Sequence, residues 1–415
     1  MKLSIKWSVM PKTLRRQTID NFELTINQLT DIAAAFERKT RQGLNEDGKQ
    51  IKCIPTYIPS IKLPDNGDAW VIDLGGTHVR AAVISFKNGK PFFKRDLCKT
   101  AMPWERNTVL DRNIYLDTQS KALESLNFNK ACPLGYCFSY PAQSTQDGDA
   151  VLLKWTKEIQ VPGVVGKKVG SLLLTHIAWN YPNVNCSKVV VMNDTVASLI
   201  AGLLMPEVDA YIGLIVGTGT NMATFMDTHH IPKLKESAAP GLLPVNLESG
   251  NFFPPHLTKW DEMVDNATQD SGEQRFEKAV SGAYLGNIFK AVYPESDFNA
   301  NTGAQGIAQL LNSSPKNDAY RLTAEQIYDR SAKLVAASLA GLIKLLNSKK
   351  AVKTVRIVAE GSLFWGTIKN ENRYLSTAQS TLKQLLNESG LEHIHFEFQH
   401  IEDANLIGSA IAALA

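Results

Sequence analysis

In the stretch Val189-Val190-Val191-Met192-Asn193-Asp194-Thr195-Val196-Ala197-Ser198, a carboxylate stands where a continuous apolar run gives way to helical spacing. Residues 189–192 predict a buried strand, and Val196, Leu199, Ile200, Leu203 and Leu204 then recur at helical intervals. Asp194 is therefore placed on a strand-to-helix corner. Open α/β sheets put ligand and catalytic groups at such corners, because rigid elements hold the side chain while it faces a crevice. Asn193, Asp194 or Thr195 is equally suited to capping the helix, so the motif alone carries two readings.

Other stretches bear on the choice. Asp73-Leu74-Gly75-Gly76-Thr77 and Gly217-Thr218-Gly219 each set a hydroxyl among glycines after an apolar run. The missing side chains let backbone N–H groups approach a phosphate, and a hydroxyl with an acidic neighbour suits a hydrated Mg²⁺. Neither is a dinucleotide fingerprint, since Met222 stands where the third glycine would be, and Gly163-Val164-Val165-Gly166-Lys167-Lys168 lacks the spacing of a Walker loop. Ser139, Thr156, Lys157, Asn193, Asp194, Asn221, Glu248 and Glu277 each lie beside a strand end, a glycine or a turn. Sugar hydroxyls both donate and accept, so dispersed Asp, Asn and Glu side chains suit a polyol; singly, each is more often a solvated loop residue.

The elements that must position these residues follow from periodicity. Phe22, Ile26, Leu29, Ala33 and Phe36 predict an amphipathic helix stopped by Gly43, and the prolines of 55–64 predict a crossing linker. Trp70 to Phe86 reads as strand, glycine turn, strand, with Asn88-Gly89 announcing another hairpin. A helical stretch around 110–126, a strand from Leu134 ended by Pro141, and a helix from about Val165 lead to Asp194. Ala210 to Phe225 is again strand, glycine turn, strand, a weak echo of the first unit that predicts a duplicated α/β architecture with a cleft between the copies. A helix at 325–346, a strand at 355–359 and a closing helix from Asp403 complete the pattern.

Bulk properties narrow the class. The 415 residues, 44% hydrophobic and 20% charged, are ordinary for a globular chain of two or three domains. Net charge of +3 with scattered basic residues gives no footprint for nucleic acid or a membrane surface. Five cysteines without a CxxC pair indicate neither a disulfide framework nor a zinc site, and the His229-His230 and His393/His395 pairs have no further ligands beside them, so no metal site is expected. With no apolar run of 18 residues and no leader-like N-terminus, the expectation is a cytoplasmic protein without a clear membrane anchor. The sequence specifies no oligomeric state.

From Ile54-Pro55-Thr56-Tyr57 onward the chain resembles the hexokinase and glucokinase family, with motifs in family order. Asp73-Leu74-Gly75-Gly76-Thr77 with Arg80 resembles the first phosphate motif, and Phe138-Ser139-Tyr140-Pro141 with Leu153-Lys154-Trp155-Thr156-Lys157 the sugar signature. Asn193-Asp194-Thr195-Val196 resembles the catalytic motif and Gly217-Thr218-Gly219-Thr220-Asn221 the second phosphate motif. Asn246 to Gly250 and Phe276 to Gly286 resemble the remaining sugar segments, and Glu360-Gly361-Ser362 the adenosine motif. Departures from the family pattern are His78 for Asn, Tyr140 for Phe, Glu158 for Gly, Leu247 and Ser249 for Thr and Trp, and Glu360 for Asp. Residues 403–408 replace a Ser- and Gly-rich helix entry.

The resemblance implies an α/β fold of two ribonuclease-H-like (actin-like) lobes, mixed sheets flanked by helices, with an interlobe cleft. It implies a small lobe of residues 55–192 plus 402–415 and a large lobe of 1–54 plus 193–401. It further implies ATP and Mg²⁺ as cofactors, and transfer of the γ-phosphoryl group to the 6-hydroxyl of glucose or a related hexose. Asp194 would be the general base, assisted by Lys157 and Arg80, with Ser139, Thr156, Lys157, Asn193, Asn221, Glu248 and Glu277 on the sugar. Asp73, Gly75, Gly76, Thr77, Arg80, Gly217, Thr218 and Gly219 would hold the phosphates, and Gly361 and Ser362 the adenosine end. The alternative is a catalytically weak glucose sensor of the same fold.

Overall fold

The computed structural model describes residues 22–58, 61–104, 109–156, 159–234, 240–313 and 318–415. Helix α1 (Ile26–Asn45) opens on a capping box in which Thr25 and Gln28 satisfy each other's backbone N–H groups. It does not stop at Gly43. A side chain there would come within 1.8 Å of the Ile51 carbonyl, so the glycine serves close approach of the following chain rather than helix termination. Strand β1 (Ile54–Pro55) lies within the expected linker and leads to β2 (Gly67–Leu74), β3 (His78–Lys87), β4 (Lys90–Phe93) and β5 (Cys98–Ala101). Asn88 and Gly89, both at positive φ, close the β3–β4 hairpin. Helix α2 (Arg112–Glu124), β6 (Cys132–Phe138), the β7 (Ala142–Ser144) and β8 (Ala150–Leu152) hairpin, α3 (Val169–Asn180) and β9 (Cys186–Met192) complete the first unit.

After β9 come α4 (Asp194–Ala201), β10 (Ala210–Val216), β11 (Thr220–Asp227) and β12 (Leu242–Asn246). A helical region follows: α5 (Lys259–Asn266), α6 (Arg275–Val280), α7 (Leu285–Val292), α8 (Gly303–Asn312) and α9 (Asp318–Lys349), the last longer at both ends than periodicity predicts. Strand β13 (Thr354–Glu360), α10 (Arg373–Glu388), β14 (His395–Gln399) and α11 (Ala404–Leu414) close the chain.

The two main sheets repeat one plan. The first runs β4-β3-β2-β6-β9 and the second β12-β11-β10-β13-β14, with β1 added at the β12 edge and β5 pairing β3. In each, three strands form an antiparallel meander, the first of them pairs in parallel with a later strand, and that strand pairs in parallel with a second one. The weak echo between the two glycine hairpins in sequence is thus a full duplication of topology. The helix after each last strand, α4 or α11, sits between the sheets. Val196, Leu199 and Ile200 of α4 and Leu406, Ala410 and Ile411 of α11 share a buried cluster with Val71, Ile84, Tyr211 and Phe225. Their crossing is close: a side chain at Gly408 would meet the Ala197 carbonyl at 1.8 Å. Parallel strands then direct the carboxyl ends of β2, β6 and β9, and of β10 and β13, toward common ground, where α/β sheets place ligands.

Candidate active site

Asp194 begins α4 directly after β9, as its corner position predicts, and both readings of the motif hold at once. Asn193 caps the helix by accepting the Thr195 N–H at 2.9 Å, which leaves Asp194 in the first turn with one oxygen on the same N–H at 2.8 Å. Asn193 Oδ1 also faces Asn221 Nδ2 at 3.4 Å. From there a chain of amides runs inward: Asn221 Nδ2 donates to Asn246 Oδ1 at 2.8 Å, and Asn246 Nδ2 donates to Glu248 Oε1 at 2.8 Å. Asn221 Oδ1 is fixed by the N–H groups of Met222 and Ser249. Each amide is thereby locked in one orientation, which a site reading sugar hydroxyls requires.

Glu248 sits in a left-handed conformation (φ 55°), a strained choice for a residue with a side chain and one that recurs at functional positions. Burial pushes its carboxyl up; the Asn246 amide and the charge of Lys52 oppose that, while the charge of Asp194 adds to it. Glu277, on α6, accepts the Thr220 N–H at 3.0 Å, so this acid reaches the second glycine turn. A side chain at Gly219 would come within 2.7 Å of the same carboxylate oxygen, a space reason for glycine there. Ser139 follows β6 with its N–H on the Leu74 carbonyl, and Thr156 lies beyond β8. Lys157 and its neighbour Glu158 fall outside the described residues.

The first turn joins β2 to β3, the Gly75 N–H closing on the His78 carbonyl. Arg80 is held between two carboxylates: Nε and Nη2 donate to Asp73 Oδ2 at 3.0 and 2.5 Å, and Nη1 donates to Asp403 Oδ1 at 2.8 Å. The buried Cys137 thiol lies in the field of both Asp73 and Asp194, and burial above all pushes its ionisation up, so it stays neutral between them. In the second turn, the Gly217 and Thr218 carbonyls accept the Gly282 and Ala283 N–H groups. Gly361, at φ 115°, packs on Val216 and Gly217 so closely that a side chain would meet the Val216 carbonyl at 2.2 Å. Gly361 and Ser362 are thus set against the second glycine turn. Glu360, at the end of β13, has Oε1 buried without a partner, and burial pushes its carboxyl up to about 7.

Three contributors are not among the expected site residues, though Asn246 and Asp403 lie in stretches the sequence singles out. Asn246 precedes Glu248 by two residues and links it to Asn221; Asp403 stands at the entry to α11, as Asp194 stands at the entry to α4. Trp104 donates to the Gly76 carbonyl from a stretch with no motif of its own. Among the described residues no group of three or more His, Cys, Asp or Glu side chains is arranged to hold a metal ion, and no helix is long and apolar enough to cross a membrane.

Two sheets of duplicated topology with paired glycine hairpins and helices crossing between them make up the α/β fold of the actin-like class. Hexokinase family profiles match residues 15–204, 211–296 and 294–415. The chain belongs to the hexokinase family, a family of ATP-dependent hexose kinases. Hexokinase-2 of Candida albicans is 27% identical over 400 residues, covering 83% of this chain and 81% of that protein. Hexokinase-1 of Saccharomyces cerevisiae is 27% identical over 411 residues, covering 86% and 83%. Among solved structures, a Schistosoma mansoni hexokinase complexed with glucose superposes with a TM-score of 0.82 at 23% identity over 97% of this chain and 98% of that one. A Streptomyces griseus glucokinase in complex with glucose and AMPPNP gives 0.54 at 17% identity over 84% and 99%.

Proposed function

We propose that this protein transfers the γ-phosphoryl group of ATP to the 6-hydroxyl of glucose and related hexoses. The observation that carries the reading is the locked chain Asn193–Asn221–Asn246–Glu248, which begins beside Asp194, passes just beyond the second glycine turn at Asn221 and ends on a half-buried acid. Asn193, Asn221, Glu248, Glu277, Ser139, Thr156 and Lys157 hold the sugar, and the Asp194 carboxylate takes the proton of the attacking hydroxyl. Phosphoryl transfer asks the protein mainly for in-line positioning and neutralised charge. Gly75, Gly76, Thr77, Gly217, Thr218 and Gly219 cradle the phosphates, Gly361 and Ser362 the adenosine, and Lys157 and Arg80 oppose the charge. The donors present, one carboxylate (Asp73) with the Thr77 and Thr218 hydroxyls, fit a hydrated Mg²⁺ that arrives on the nucleotide rather than in a protein cage. That ion supplies charge neutralisation on the transferred group.

Residues 55–192 with 402–415 act as the small lobe closing on residues 1–54 with 193–401, which excludes water as a rival nucleophile. The expected compartment is the cytoplasm. The alternative, a sugar sensor of weak catalytic power, rests on Glu158 and on the altered nucleotide end, where Glu360 replaces the family's Asp and leaves one buried oxygen without a partner. Purified protein incubated with MgATP and glucose, mannose, fructose, glucosamine or N-acetylglucosamine separates the two. Sugar phosphate formation supports the kinase; glucose binding without product from any hexose leaves the sensor.

A further inference from the structure

The first glycine turn is held from behind by two aromatic side chains that the transfer chemistry leaves unused. Tyr140 Oη donates to the Gly75 carbonyl at 3.1 Å, and Trp104 Nε1 donates to the Gly76 carbonyl at 2.9 Å. The peptide bonds here are trans, so each carbonyl lies antiparallel to the N–H of the next residue. Drawing the two carbonyls toward the aromatic side therefore turns the Gly76 and Thr77 N–H groups the opposite way. Neither N–H meets an acceptor among the described residues, and Thr77 is exposed. Adjacent unpaired N–H groups on a turn form a concavity for an anion.

The two donors are themselves firmly placed. The Tyr140 ring is buried, packs edge-on to Trp155 at 5.0 Å, and lies near Trp104 at 6.3 Å; Trp104 in turn stacks on Tyr115. Burial pushes the Tyr140 phenol up, so it stays a donor across the working range. Tyr140 directly follows Ser139 and Trp155 directly precedes Thr156, so two sugar-side residues ride on the bracket that orients the turn.

We propose that Tyr140 and Trp104 are positioning residues for the nucleotide, fixing the Gly76 and Thr77 N–H pair toward its phosphates. The proposal rests on the reading that this turn receives the phosphates of ATP. Tyr140→Phe keeps the ring and removes one hydrogen bond; Trp104→Phe keeps an aromatic filler and removes the other.

The test compares parent, both single variants, the double variant and Thr218→Val, a control in the second turn. Kinetics give KM for MgATP and for glucose and kcat; calorimetry gives glucose affinity without nucleotide, and thermal melting gives stability. One lost hydrogen bond corresponds to about a fivefold rise in the KM for MgATP, and both to about 10- to 30-fold, with glucose affinity kept within about twofold. If the double variant keeps the parental MgATP KM and kcat while Thr218→Val does not, the turn needs no holding and the proposal fails. Equal losses of glucose and nucleotide affinity with a lowered melting temperature reduce the pair to general packing, which also overturns it. If Thr218→Val is silent as well, the nucleotide does not bind at these turns and the underlying reading falls.

Discussion

Replacing Asp194 with Asn separates the two duties of that residue. The amide oxygen can still accept the Thr195 N–H now held at 2.8 Å, and Asn193 still caps the helix, so α4 keeps its start. Stability changes by less than about 1 kcal/mol on that account. The amide cannot take a proton. A positioned general base contributes about 10²- to 10⁴-fold, equivalent to about 2.7–5.5 kcal/mol at the transition state, and kcat should fall by that factor. Glucose affinity should change little, because Asp194→Asn removes a charge that pushes the Glu248 carboxyl up and so leaves that acceptor more readily ionised. The assay is a coupled measurement of sugar phosphate over a glucose series, paired with calorimetric glucose binding. A kcat within about tenfold of the parent would refute the base assignment, since it lies below the range for a general base. Collapse of glucose binding to the same extent as kcat would show instead that Asp194 serves mainly as a sugar ligand.

Other perturbations probe the frame around it. Asn246→Leu strips partners from Asn221 Nδ2 and Glu248 Oε1, and at about 1–3 kcal/mol for each buried polar group left unpaired it should weaken glucose binding far more than MgATP binding, as paired titrations would show. Glu360, pushed from 4.5 up to about 7, contributes stability that is present below 4.5 and lost as pH rises through 7. Glu360→Gln has no such loss, so its melting-temperature advantage over the parent should grow between about pH 5 and about pH 8; a constant gap would refute the burial argument. Gly408→Ala places a methyl 1.8 Å from the Ala197 carbonyl and must push α11 off α4, which should lower stability by about 1–3 kcal/mol or more in denaturant unfolding.

How much of this was legible beforehand depends on the range of each signal. Asn88-Gly89, the two glycine turns and the apolar run before Asp194 are local patterns, and each lies where local chemistry predicts. Gly43 misled because its role is set by Ile51 packing across the helix, which no helix-stop rule contains. Asn246 enters the site through the β11–β12 register, which pairs it with Ala223 beside Asn221. Asp403 reaches Arg80 across 323 residues of sequence, and Tyr140 and Trp104 act on carbonyls of a turn far from either. Such partners come from tertiary assembly, and composition and periodicity do not register them.

The position of α11 also sets the order in which the frame can be assembled during synthesis. The face of the first sheet built from β2, β3, β6 and β9 is covered by the last helix of the chain, and Gly135 of β6 sits so close to Ser409 that a methyl would meet its carbonyl at 2.2 Å. Asp403, which completes the grip on Arg80, stands at the entry to the same helix. The first half of the chain therefore leaves the ribosome with one face open and its arginine held on one side only. A chain without α11 still carries the residues proposed for the sugar yet lacks the frame beneath Asp194, so the corner that opens α4 depends on a helix from a distant part of the sequence.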